Sequence, residues 1–105
     1  MIYRGTTPTI TLRIKNADVI DFENLTNPHI TILNDSGRNK KIFTDCIKDD
    51  VNKTISVRLT YDDTMSFEPG YLLVQLSADL NIDNVVDTYR SPTLRMEIGE
   101  NQEER

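Results

Sequence analysis

The sequence predicts an all-β, single-domain antiparallel β-sandwich of roughly six to seven strands with one short helix. Several short segments alternate between apolar and polar side chains, and polar, turn-rich stretches separate them. Only one segment carries helix signals. The chain has 105 residues, of which 37% are hydrophobic. That length allows one hydrophobic core without metals or disulfides, and it leaves no room for a second domain.

The first predicted strand covers residues 9–15. Ile10, Leu12 and Ile14 point to one side of this segment, and the polar residues between them point to the other. A period of two residues is typical of a strand that is buried on one face.

A second strand is predicted over residues 29–33, with Ile30 and Ile32 facing the core. The cluster of Asn, Asp, Ser and Gly at residues 34–37 favours a turn, because short polar side chains mimic turn hydrogen bonds and glycine accepts a positive φ. Residues 41–44 then return as the partner of the second strand.

A third strand with the same alternation is predicted over residues 54–59. The helix follows it, near residues 61–66. Thr60 is a good N-cap, and Asp63 stands at the capping-box position three residues later. The Glu-Pro-Gly sequence at residues 68–70 ends the helix.

The strand over residues 71–78 is apolar on both faces, which predicts a central position in its sheet. Residues 79–87 are expected to form a loop. The last strand is predicted over residues 89–98, with Pro92 marking a bulge or an edge. Its inward-facing side chains are expected to be Leu94, Met96 and Ile98.

These elements divide the chain into three parts. Residues 1–8 form an extended N-terminal arm, residues 9–98 an immunoglobulin-like sandwich, and residues 99–105 a polar, acidic tail. The arm either frays or adds to the sheet edge of another subunit.

The composition argues against several function classes. The net charge of -5 argues against nucleic acid, because phosphates require a basic surface. No apolar run approaches the length of a membrane span, and the N-terminus lacks the apolar region of a signal peptide. A single cysteine cannot form an internal disulfide.

No motif predicts catalysis, a cofactor or a metal site. His29 is the only histidine and is expected at a surface or an edge, and Cys46 is expected to be small and partly buried. Residues 79–83 alternate like a calcium loop, but Asn84 replaces the glycine and Arg90 replaces the bidentate glutamate. A polar loop is the better interpretation, and we expect a protein that is not an enzyme.

Three segments resemble a family of short bacteriophage and prophage structural proteins. The first is Arg4-Gly5-Thr6-Thr7-Pro8-Thr9. The second covers residues 57–67, where VRLTYDDTMSF is similar to the family's v-x-L-T-x-x-D-T-x-x-F stretch. The third covers residues 70–76, which resemble its G-x-x-x-x-Q-L strand. The opening segment also looks like the N-terminal domain of phage baseplate upper proteins.

The resemblance implies a non-enzymatic particle protein of tail or baseplate type that assembles with other phage structural proteins or with itself. It also implies a location in the virion or the bacterial cytoplasm. Aromatic and arginine side chains are the usual anchors of interfaces. The expected interface residues are therefore those on arms and edges, namely Tyr3, Arg4, Thr6, Thr7, Tyr61 and Tyr89.

Two further features bear on this expectation. Open sheet edges need guarding, and the charges at Lys40-Lys41 and Arg13-Lys15 are candidates for that role. The alternative function is a small carbohydrate-binding module, which would need an exposed row of tyrosines on one face. That row would consist of Tyr3, Tyr61, Tyr71 or Tyr89.

Overall fold

A computed structural model describes residues 2–14, 24–82 and 84–100, which form nine strands and one short helix. In chain order these are β1 (Ile2–Tyr3), β2 (Thr9–Arg13), β3 (Leu25–Asn34), β4 (Lys41–Phe43), β5 (Ile47–Asp49), β6 (Thr54–Arg58), α1 (Tyr61–Met65), β7 (Gly70–Ile82), β8 (Val85–Arg90) and β9 (Leu94–Gly99).

Within the described residues the strands form two sheets. The larger sheet has the order β1-β9-β7-β3-β4, and β8 also pairs with β7. The smaller sheet has the order β2-β6-β5. All pairs are antiparallel except β1 with β9. The prediction of an all-β, single-domain sandwich is confirmed.

The 13-residue strand β7 organises the larger sheet. One edge of β7 pairs with β3, and the other pairs first with β9 and then with β8. Its predicted central position is therefore confirmed. The predicted pairing of residues 41–44 with the 29–33 strand is also confirmed, since β4 pairs with β3 through Ile30↔Phe43.

The core lies between the two sheets and contains the side chains that the alternation placed inward. The short helix closes it, because Leu59 and Phe67 on either side of α1 are fully buried. The predicted capping box is present: Thr60 Oγ1 accepts from the Asp63 N–H at 3.1 Å, and Asp63 Oδ2 accepts from the Thr60 N–H at 2.8 Å. The helix is therefore held at its N-terminus by side chains of its own sequence.

The segment from residue 79 to residue 98 differs from the prediction. The expected loop at 79–87 is wrong, because β7 continues to Ile82 and β8 returns alongside it. The single strand at 89–98 is also wrong, because the chain breaks at residues 91–93 between β8 and β9. Proline lacks the N–H that a ladder needs, and Pro92 stands within this break. Leu94 lies opposite the buried Val74 and points inward as expected, but it is 46% exposed because it lies beside the break.

The N-terminal segment is part of the sandwich in this structure. The residues of β1 pair with Ile98 and Gly99 of β9 in the larger sheet. The chain then crosses to the smaller sheet, where the Leu59 N–H donates to the Pro8 carbonyl at 2.8 Å. Residues 2–8 therefore join the edges of both sheets, within the region where the sequence predicted an extended arm at residues 1–8.

Two expectations fall outside the described residues, namely the placement of Lys15 and of the tail residues 101–105. Within the described part of the chain, no helix has the length and apolar character that a membrane span requires.

Candidate interaction surface

The first two segments that carry the family resemblance contact each other in the structure. The hydroxyl of Thr64, which is fully buried, accepts a hydrogen bond from the Gly5 N–H at 3.0 Å. The same hydroxyl donates to the Thr6 carbonyl at 2.9 Å. Thr64 thus satisfies two backbone groups of a segment nearly sixty residues away in sequence. No local pattern in the sequence indicates this contact.

Arg4 adds a second connection between the same segments. Its Nη2 donates to the Met65 carbonyl at 2.9 Å, at the end of α1. Its Nη1 lies 3.0 Å from Glu100 Oε1, and only 24% of the Arg4 side chain is exposed. The guanidinium is therefore used inside the domain, and Arg4 is not displayed as an interface anchor in this structure.

The third segment of the resemblance stabilises the break between β8 and β9. The Gln75 side chain donates from Nε2 to the Ser91 carbonyl at 3.0 Å. Ser91 Oγ accepts from the Leu76 N–H at 3.0 Å, and the Ser91 N–H donates to the Leu76 carbonyl at 2.9 Å. These bonds satisfy the backbone of β7 where neither β8 nor β9 pairs with it.

The other predicted interface residues lie in three different places. Tyr3, on β1, is 36% exposed, and Tyr61, on α1, is 55% exposed. Thr6 is half-buried beside the helix, whereas Thr7 is exposed and accepts from Arg58 Nη2 at 3.4 Å. Tyr89 is half-buried and packs against the core. The opening segment, which carries four of the six residues, thus lies against the helix that carries Tyr61, whereas Tyr89 lies apart from them on β8.

The four tyrosines do not form a single row. Tyr71, on β7, is 42% exposed, but the Arg95 guanidinium lies over its ring at 3.9 Å from the centroid. Arg95 also lies 3.7 Å from the Asp35 carboxylate. A cation over the ring occupies the face on which a sugar would stack.

Two edge strands on one side of the sandwich carry an inward-pointing lysine. Lys41 of β4 lies opposite the buried Ile32, and Lys48 of β5 lies opposite the buried Ile55. Lys48 Nζ reaches the Leu25 carbonyl at 2.7 Å. Inward-pointing charges on edge strands oppose the addition of a further strand. The expected guarding role of Lys41 thus has a geometric basis, and Lys48 was not foreseen.

The β8 strand differs from β4 and β5 in the side chains beside its edge. One edge of β8 pairs with β7, and within the described residues no strand pairs with the other. Val85 and Val86 point to opposite faces and are 58% and 62% exposed, so the described residues cover neither face of the hairpin end. Exposed apolar side chains beside an unpaired edge are typical of a surface that another chain covers.

A groove of about 220 Å³ opens between β2 and the β8–β9 break. We call it the β2–β8 groove. Its apolar lining side chains are Leu12, Ile14, Leu76, Tyr89, Pro92 and Leu94. Arg13 and Ser91 complete the lining. The sequence predicted most of the apolar residues as core, and it did not predict that they surround an open space.

The chemically reactive side chains are separate from this groove. Burial raises the pKa of the Cys46 thiol, and the nearby Asp45 carboxylate adds to the rise. Cys46 is partly buried, as predicted, and its Sγ lies 3.3 Å from the Phe43 carbonyl. His29 is half-buried on β3. Among the residues that the structure describes, no group of three or more His, Cys, Asp or Glu side chains is arranged to hold a metal ion.

Comparison with known protein families and with curated proteins gave no match for this chain.

Proposed function

We propose that this chain is a non-enzymatic structural or assembly protein of a phage or prophage particle, of tail or baseplate type. It acts through contacts with other protein subunits and is a component of the virion. The proposal combines the resemblance of three sequence segments with one structural observation. That observation is the edge of β8 with which no described strand pairs; β8 carries exposed valines at one end and borders the β2–β8 groove at the other.

The hydrogen bonds of the three segments support a structural interpretation of the resemblance. Thr64 joins the opening segment to the helix, and Gln75 holds the β8–β9 break. Each of these side chains satisfies backbone groups of the fold. Side chains used in this way stabilise the fold, and a structural subunit needs a stable fold to present its contact surfaces in the particle.

The alternative, a carbohydrate-binding module, has less support from the geometry. Such modules stack sugars on uncovered aromatic faces. Tyr89 packs against the core, and one face of Tyr71 is occupied by Arg95. Tyr3 and Tyr61 are exposed on separate elements.

The proposed function is tested on particles purified after prophage induction of cells that carry the gene. We expect mass spectrometry to detect this chain in the particles at a copy number comparable to that of known tail subunits. Recovery of the chain only from the particle-free lysate would contradict the proposal.

A further inference from the structure

We propose that the β2–β8 groove binds an extended, acidic segment of another protein chain. The segment adds as a strand to the edge of β8 with which no described strand pairs, and it places one apolar side chain in the groove. This inference rests on the proposed function, because it specifies how the assembly contact is made and what chemistry the partner carries.

The choice of β8 over β4 and β5 follows from a comparison of these three edges. On the opposite side of the sandwich, Lys41 of β4 and Lys48 of β5 point inward and oppose strand addition. The six residues of β8 include no lysine and no proline. Its edge is also longer than the three-residue edges of β4 and β5. Of these edges, β8 is therefore the one that accepts a strand.

The groove supplies a pocket for one inward-pointing side chain of the added strand. Side chains of a strand alternate between faces, so a segment paired with the end of β8 directs every second residue toward β2. Tyr89 and Ser91 line the groove at the end of β8. A cavity of roughly 150 Å³ holds a benzene molecule. The space of about 220 Å³ therefore fits a leucine or an aromatic side chain.

The charge at the rim selects an acidic partner. Arg13, opposite Thr54 in the smaller sheet, and Arg90, opposite Ser77 in the larger sheet, are both exposed. Within the described residues neither forms an ion pair with a carboxylate. The one acidic residue of β8, Asp87, lies opposite Leu80 on the same face as Tyr89, so it does not share the face of Arg90. The chain as a whole has a net charge of -5, so exposed arginines on both sides of an apolar groove contrast with the rest of the molecule.

The probe is a synthetic acetylated and amidated peptide, Thr-Thr-Glu-Leu-Glu-Thr-Thr. When its leucine points into the groove, both glutamates point to the face that carries Arg90. The peptide is titrated into the ¹⁵N-labelled full chain, and amide chemical shifts are recorded. We expect shifts confined to residues 12–14 and 85–94. Shifts confined to β4 and β5, or no shifts at all, would overturn the inference.

Two control peptides separate the apolar and the charged contributions. Replacement of the leucine by serine removes the side chain that fills the groove, and we expect no measurable binding. Replacement of both glutamates by lysine is expected to weaken binding about tenfold, because like charges then face each other. Equal affinity of the glutamate and lysine peptides would overturn the acidic specificity.

Matched variants test the two arginines. Arg90→Glu is expected to weaken binding of the glutamate peptide about threefold to fivefold, the upper part of the range for exposed ion pairs, because both glutamates point to its face. Arg13→Glu, on the outer face of the smaller sheet, is expected to weaken binding less. Arg38→Glu makes the same charge change on the turn between β3 and β4 and is expected to leave binding unchanged. Equal losses in all three variants would indicate a general charge effect and overturn the proposed site.

Other occupants of the groove give distinct results. If a second copy of the chain fills it, sedimentation shows a dimer that the glutamate peptide does not dissociate, and the inference is overturned. If residues 15–23 of the same chain fill it, addition of the peptide shifts their amides while those of 85–90 stay unchanged, which also overturns it.

Detection of the chain in particles without peptide binding refutes this inference alone. Peptide binding by a chain that is absent from particles refutes the proposed function alone.

Discussion

Thr64→Val tests the connection between the N-terminal segment and the helix. Valine has nearly the shape of threonine, so the substitution removes the hydroxyl while preserving the packing. The Gly5 N–H and the Thr6 carbonyl, which lie 3.0 and 2.9 Å from the hydroxyl, then lose their partner in a partly buried position. An unsatisfied buried polar group costs about 1–3 kcal/mol. Because Thr64 satisfies two such groups that are only partly buried, we expect a loss of about 2–3 kcal/mol.

The loss is measured by urea unfolding and by thermal denaturation, where it corresponds to a decrease in Tm of roughly 10–20 °C. Thr44→Val makes the same chemical change at an exposed position and is expected to change the free energy of unfolding by less than about 0.5 kcal/mol. Thr64→Ser keeps the hydroxyl and is expected to cost less than Thr64→Val. The reasoning is refuted if Thr64→Val matches the wild type, or if serine is as damaging as valine.

Three further predictions concern side chains outside the groove. Asn34 is 3% exposed, and its side chain forms hydrogen bonds with the carbonyl and the N–H of Glu68 at 2.8 and 3.0 Å. Asn34→Leu is therefore expected to lower the free energy of unfolding by about 2–4 kcal/mol. An unchanged midpoint in a urea titration would argue against this role. Burial raises the pKa of the Cys46 thiol, so iodoacetamide at pH 8 should modify the folded chain more slowly than the urea-unfolded chain, and equal rates would contradict this. Hydrogen bonds from Asn52 lower the pKa of Asp49, so their stabilising effect is present above the usual carboxyl pKa and lost as the pH falls through the folded value. In an NMR titration Asn52→Ala, which removes the side-chain hydrogen bond and keeps the backbone one, should return that pKa toward its usual value, and an unmoved pKa would exclude the Asn52 side chain as a cause.

The parts of the fold that the sequence predicted are those with a strong local signal. Strands β2, β3, β6 and β7 have one or two buried faces, and their side chains alternate accordingly. The helix was predicted because its capping box involves residues only three positions apart, Thr60 and Asp63. In each case the physical cause lies within a few residues of the chain.

Three strands gave no such signal. β1 has only two residues, and β5 has three, of which the inward one is Lys48. In β8 five of six residues are exposed, so no alternation of burial selects a hydrophobic face. Its pairing with β7 is set by the hairpin turn, where Asn84 adopts a positive φ of 67°. Because the turn is polar and the residues that follow it are exposed, the sequence of this hairpin is indistinguishable from that of a loop.

The candidate interaction surface was predictable only in part. The sequence selected the opening segment and the helix as notable, but not the hydrogen bonds that join Thr64 to Gly5 and Thr6. Contacts between residues so far apart leave no periodic pattern. The groove was missed for a related reason. Leu12, Ile14 and Leu76 have the spacing of core residues, and only the break before Leu94 leaves them beside an open space.

The central claim is that a partner contacts the side of the sandwich that carries β8 and the end of β2. Hydrogen–deuterium exchange tests this claim most directly. Exchange is compared between the isolated chain and the chain within purified particles, with peptides covering the open strand edges. We expect assembly to slow exchange at residues 85–90 and 12–14, while residues 41–49 exchange at unchanged rates. Protection of residues 41–49 with no change at 85–90 would show that the lysine-bearing edges make the contact and would contradict the account.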